Sequence, residues 1–204
     1  MDDDAVIAGL ILLAMLSSRS QTIEWGGGWW WPVPDLKHAD GSIDRAVVSQ
    51  EFRGGGAAPH YGVDVMYRNR TPPPTFTAPA GTPILSARDG SLWSVQRTPR
   101  GWNVVVDHGP PFATFYQHLA EVEPDVLAGL QGKNVITGSG KRAFPINGGR
   151  KIGTMGEDPT DAGHVRHLHF AVWYGGAGDR ASVDPTGVMY AWRRSLWMEQ
   201  QSSS

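Results

Sequence analysis

Seven histidines and no cysteine define what chemistry this 204-residue chain can carry. Without thiolates, any metal must be held by His, Asp or Glu, and a catalytic zinc takes three such ligands while a fourth position stays open to water. His167-Leu168-His169-Phe170 places two imidazoles two residues apart. On a strand such residues share a face at about 7 Å, so one can bind a metal while the other addresses its water. His60-Tyr61-Gly62-Val63-Asp64 adds a carboxylate and a third imidazole. A regular strand would hold His60 and Asp64 about 13 Å apart; Gly62 permits a bulge or bend that brings them together. Thr114-Phe115-Tyr116-Gln117-His118-Leu119 ends an aromatic strand on a third element, His118. Each is commonplace singly; their conjunction is not.

The elements that must position these residues read as strands. Gly 26 and Pro 15 are high counts that argue against a helical bundle. Runs rich in Val, Ile, Phe, Tyr and Trp at 47–52, 61–67, 82–87, 91–96, 103–107, 114–118 and 167–174 are bounded by Gly, Pro, Asn or Asp. Residues 123–130 and 188–199 read as helical. The fold class predicted is mostly β: one antiparallel sheet or sandwich, with a short apolar N-terminal helix and a C-terminal helical tail. The expected divisions are an apolar helix at 1–19, a Gly/Trp-rich linker at 20–30, a catalytic domain at 31–190 and the tail at 191–204. Trp29-Trp30-Trp31 reads either as an exposed binding patch or as packing at the domain edge. With 18 Lys+Arg against 20 Asp+Glu, and a net charge of -2, the chain lacks the broad basic footprint of a nucleic-acid-binding protein.

Taken in order, His-x-Gly-x-Asp at 60–64, Tyr-x-His-Leu at 116–119 and His-Leu-His-Phe at 167–170 resemble the motifs of the LytM/lysostaphin-type zinc endopeptidases, which cut peptidoglycan cross-links. The stretches 77–90, 101–109, 152–156 and 183–185 are similar to the family's intervening text, so the resemblance covers about residues 31–190. It implies one zinc ion held by His60, Asp64 and His169, with His118 and His167 flanking the open position. One of these two would take a proton from the attacking water and the other stabilise the oxyanion; which is the base stays open. All five positions are filled, which favours an active enzyme over a peptidoglycan-binding or structural module that cuts nothing. Departures from the pattern are an insertion at 35–46 and a long loop at 132–150. His164 is a candidate groove residue, His108 reads as a packed structural histidine and His38 as a solvated one.

The substrate so implied lies outside the cytoplasmic membrane. Acidic Asp2, Asp3 and Asp4 precede an apolar run at 5–16, which as a helix would span about 18 Å, short of a hydrocarbon core of about 30 Å. It reads as a segment docking into a protein assembly, with an atypical membrane anchor or a signal segment as alternatives. The expected location is the cell envelope or its outer side, with carriage on a phage particle fitting the short helix and its charge. The resemblance covers both glycine-bridge and D-Ala-linked cross-links; the D-Ala-linked stem peptide is favoured as the commoner.

Overall fold

β-Branched and aromatic runs punctuated by Gly and Pro become strands wherever the sequence pattern places them. A computed structural model describes residues 23–53, 59–68, 75–129, 144–159, 165–177 and 181–198. The apolar run at 5–16, His164, residues 132–143 of the long loop and the tail beyond 198 lie outside the described residues. Fourteen strands are present among those described: β1 (Asp35–Lys37), β2 (Ile43–Asp44), β3 (Ala46–Gln50), β4 (Val63–Arg68), β5 (Phe76–Thr77), β6 (Pro83–Leu85), β7 (Gly90–Thr98), β8 (Gly101–Asp107), β9 (Phe112–Val122), β10 (Pro145–Ile146), β11 (Lys151–Met155), β12 (Leu168–Tyr174), β13 (Ala181–Val183) and β14 (Leu196–Met198). Two short helices, α1 (Pro124–Ala128) and α2 (Thr186–Met189), accompany them among the described residues. None of the described helices is long and apolar enough to cross a membrane.

The main sheet has eleven strands and runs β10-β7-β8-β9-β12-β4-β3 along its spine, with β5, β6, β11 and β13 joined at its margins. Its pairings are antiparallel. Because side chains alternate, one face packs the main core, while the other carries a smaller apolar cluster around Ala113, Ala171 and Trp173 and, next to it, the polar residues. Val63, Val65, Tyr116, Leu168 and Phe170 are fully buried on the first. Asp64, Gln117 and His169, in register with one another across β4, β9 and β12, share the second.

The triple tryptophan belongs to the core rather than to an exposed patch. Trp29 and Trp31 are buried, Trp29 stacks on Trp192 at 4.7 Å, and Trp25 stacks on Phe112 at 5.4 Å. Trp25 and Trp29 thus pack with the same core as Trp31. The 188–199 stretch also departs from expectation. Its helical period stops after α2, and Leu196–Met198 extends as β14 alongside β1, in parallel. Here a polar clasp overrides helix propensity. Arg194 bonds the buried Asp35 carboxylate and the Ala46 carbonyl, and Asp35 also accepts from the Ala46 N–H. The guanidinium lies 4.1 Å from the Trp31 ring centre. The insertion at 35–46 supplies β1 and β2, so it builds this second, three-stranded sheet.

His108 is a packed histidine, as expected. Its Nδ1–H donates to the Asp89 carbonyl at 2.9 Å, and Nε2 is 2.8 Å from Thr114 Oγ1, itself 2.9 Å from the buried Tyr116 hydroxyl. Burial pushes His108 down to about 4, and the same cause raises Tyr116 to about 12. His38 is half-buried and bonds Asp44 at 2.9 Å, rather than being simply solvated.

Two outcomes follow. Arg194→Ala strands the Asp35 carboxylate without its cation and costs about 3 kcal/mol in urea unfolding. His108 binds a proton more readily unfolded, near pH 6.5, than folded, near 4. Its contribution is therefore complete above about pH 6.5 and lost as pH falls toward 4. The stability gap between wild type and His108→Gln, followed by chemical denaturation, narrows across that window.

Candidate functional site

Three of the expected site residues converge through strand register. His169 is the direct cross-strand partner of Asp64, and β3 carries a bulge at Ser49, which places Gln50 opposite Asp64. His60 precedes β4, where it forms an isolated antiparallel bridge with Arg53. The chain bends at Gly62. Here the missing side chain matters as room: a Cβ would lie 2.7 Å from His169 Nε2 and 2.7 Å from the Phe170 carbonyl oxygen.

The resulting triangle is tight. His60 Nε2 is 3.1 Å from Asp64 Oδ1 and 3.0 Å from His169 Nδ1, which is 3.1 Å from Asp64 Oδ1. His60 donates its Nδ1–H to the Glu51 carbonyl at 3.0 Å, so its Nε2 turns a lone pair toward a carboxylate. Two such acceptors face each other comfortably only across a shared proton or cation. The spacing suits a cation: bonds of about 2.0 Å in a tetrahedron set donor atoms about 3.3 Å apart. Burial pushes the Asp64 carboxyl upward, but the His169 hydrogen bond and the charges of His167, His60 and His169 outweigh it and hold it below the ordinary aspartate value. This His–Asp–His group could hold a metal ion.

His118 and His167 flank the triangle by different routes. His167 lies one residue ahead of β12, and alternation puts it on the His169 side. Its Nδ1–H donates to the Val165 carbonyl at 2.9 Å, and Nε2 is 4.0 Å from Asp64 Oδ2. Simple alternation would send His118 to the buried face with Tyr116. Instead, Gln117 and His118 together oppose Asn103 in a register shift between β8 and β9. His118 takes φ 67°, the sole positive value among the described non-glycine residues. The bulge turns its ring into the cleft, 4.7 Å from the His167 ring and 6.3 Å from that of His169. Its Nδ1–H donates to the Arg100 carbonyl at 3.1 Å. Burial, followed by the charge of His167, pushes His118 down to about 4, against the opposite pull of the Arg100 carbonyl and Asp158.

All five residues line one open cleft of about 450 Å³. Sequence reading missed Asp158, Arg100 and Gln117, which also line it. Asp158 is buried, with Oδ2 3.6 Å from His118 Nε2 and 4.0 Å from Arg100 Nη1. It is held there because Gly156 N–H bonds the His118 carbonyl and Glu157 pairs with Arg166 at 2.6 Å. No motif marks Asp158 or Arg100, since both stand in loops between the recognisable segments. Gln117, inside Tyr-x-His-Leu, was findable from its register with His169 alone.

The architecture is shared with known proteins. The chain is similar to a zinc-containing peptidase from Vibrio cholerae, at 22% identity and a TM-score of 0.52 over 78% of this chain and 40% of that one. It is also similar to a protein from Ruminococcus gnavus described as a glycyl-glycine endopeptidase, LytM, at 18% identity and a TM-score of 0.59. That match covers 85% of this chain and 64% of the other. At these identities the likeness is one of fold, and this chain spans less than two thirds of either protein's length. The family assignment rests on a more direct match. Residues 58–185, well over half of the 204, fit the family model and enclose all five site residues, so the protein belongs to peptidase family M23.

Proposed function

We propose that the chain is a zinc-dependent endopeptidase that hydrolyses peptide cross-links of bacterial peptidoglycan, with the D-Ala-linked stem peptide as the favoured substrate. The observation that carries this reading is the triangle of His60 Nε2, Asp64 Oδ1 and His169 Nδ1 beside two further imidazoles in one open cleft. These three atoms would hold the ion. What zinc supplies when bound is Lewis-acid polarisation of a carbonyl and acidification of water toward pKa about 7.

The chain's own residues do the rest. His118 and His167 each commit Nδ1–H to a backbone carbonyl. In the neutral state each therefore offers Nε2 as an acceptor. We assign His118 as the base: Asp158 Oδ2, 3.6 Å from its Nε2, is placed to stabilise a proton gained there. His167 would meet the carbonyl oxygen as negative charge develops on it. The Arg100 and Val165 carbonyls fix the ring orientations before substrate arrives, so that cost is met in folding. Location in the envelope or outside it follows from the substrate. Delivery on a phage particle, or through a protein assembly, rests on the apolar run at 5–16 alone.

Muropeptide release from purified sacculi tests the reading. The zinc-loaded protein solubilises wall material, and mass spectrometry of the fragments finds a cut at the D-Ala link. A chelated sample and His169→Ala fall at least about a hundredfold, as expected when a reaction loses its metal or base. An inert wild type that still binds one zinc and sediments with sacculi makes the cleft a binding module instead. Gly62→Ala separates ion binding from chemistry: its Cβ displaces the His169 ring, so zinc affinity by competition with a chromophoric chelator drops about tenfold or more while the circular dichroism spectrum is retained.

A further inference from the structure

Arg100 is the one Lys or Arg lining the cleft among the described residues. It sits on the turn between β7 and β8, and that turn is rigidly built. Thr98 Oγ1 donates to the Gly101 carbonyl at 2.9 Å and accepts from the Arg100 N–H at 3.2 Å. Gly101 has φ 97°, and a Cβ there would lie 2.7 Å from the Leu119 carbonyl oxygen, so the turn is pressed onto the backbone that follows His118. The Arg100 carbonyl holds the His118 ring. Its side chain is 52% exposed, and the ion pair it makes, with Asp158 Oδ2, is 4.0 Å long. That is too long for a hydrogen bond, and among the described residues the guanidinium makes none. A planar fork with five donors thus stands at a fixed place on the cleft, next to the proposed base, with its donors available.

We infer that Arg100 is a specificity residue that binds a free carboxylate of the peptide substrate close to the scissile bond. The guanidinium matches a carboxylate in a bidentate pair, and its place beside His118 puts that carboxylate within about a residue of the reacting amide. Asp158 complements the role by drawing the guanidinium over the cleft rather than into solvent. This inference rests on the endopeptidase reading and narrows it. A glycine bridge offers no carboxylate along its length, whereas a D-alanyl link whose nitrogen comes from a diamino dicarboxylic acid carries a free carboxylate beside it. The cleft is thereby matched to an acidic cross-link peptide.

The test uses three synthetic substrates with the zinc-loaded full chain: a D-alanyl amide whose nitrogen-donating residue carries a free carboxylate, the same compound as its carboxamide, and C-terminally amidated pentaglycine. Wild type is expected to cut the carboxylate peptide with kcat/KM about tenfold or more above the other two. Arg100→Gln keeps the backbone carbonyl that orients His118; its KM for the carboxylate peptide rises about tenfold while kcat stays within about twofold, and Arg100→Lys recovers part of the preference. Equal cleavage of the carboxylate and carboxamide peptides by wild type overturns the inference and leaves the endopeptidase reading standing. A fall in kcat at unchanged KM in Arg100→Gln also overturns it, by showing that the side chain serves only the turn beneath His118. If wild type cuts none of the three and releases nothing from sacculi, the reading on which the inference rests fails with it.

Discussion

The antiparallel pairing of β12 with β4 is the constraint on which the rest depends. Leu168 faces Val65, His169 faces Asp64 and Phe170 faces Val63. Fully buried Leu168, Phe170, Val63 and Val65 lock this register through the core, since a slip of β12 by one residue would send Leu168 and Phe170 to the cleft. The core thereby secures the juxtaposition of an imidazole and a carboxylate that would otherwise gain little from meeting. The other parts of the site are added to this pair. His60 is brought in by the bend at Gly62, His167 by alternation, and His118 by a bulge.

That bulge shows how a sheet departs from its own rule to make a site. Strict alternation along β9 would leave Tyr116 and His118 together in the core. The positive φ at His118 is unfavourable for a side chain of that size, and it persists because its surroundings determine it. The Arg100 carbonyl holds the ring, the Gly156 N–H holds the His118 carbonyl, and the β7–β8 turn closes over the strand. The strain lies at the residue proposed to move a proton, where an invariant ring position is worth most.

Much of this was legible in the residues themselves. The β-rich fold followed from short Val/Ile/aromatic runs between turn formers, and His60, Asp64, His118, His167 and His169 stood out because their types and spacings form an ordered set. What escaped reading depends on long-range contact. Asp158 and Arg100 are ordinary loop residues until β11 and the β7–β8 turn carry them to His118. The 188–199 stretch has helical composition, yet its last part becomes β14 because Asp35, about 160 positions earlier, recruits Arg194. The tryptophans near residue 30 gave an ambiguous signal for a related reason. Whether aromatic side chains form a patch or a core is decided by Phe112 and Trp192, which no local pattern connects to them.

The clasp between Asp35 and Arg194, 159 residues apart in sequence, also bears on the order in which the molecule is made. β1 has its parallel partner, β14, about 160 residues later in the sequence, so it must wait until those residues have been synthesised. Until then Asp35 lacks its cation, and Trp31 and Trp29 lack the Arg194 and Trp192 side chains that cover them. Contacts of such separation are slow to form and leave apolar surface open meanwhile. The small sheet can close only once residues 196–198 have been made, later than any strand of the sheet that carries the cleft.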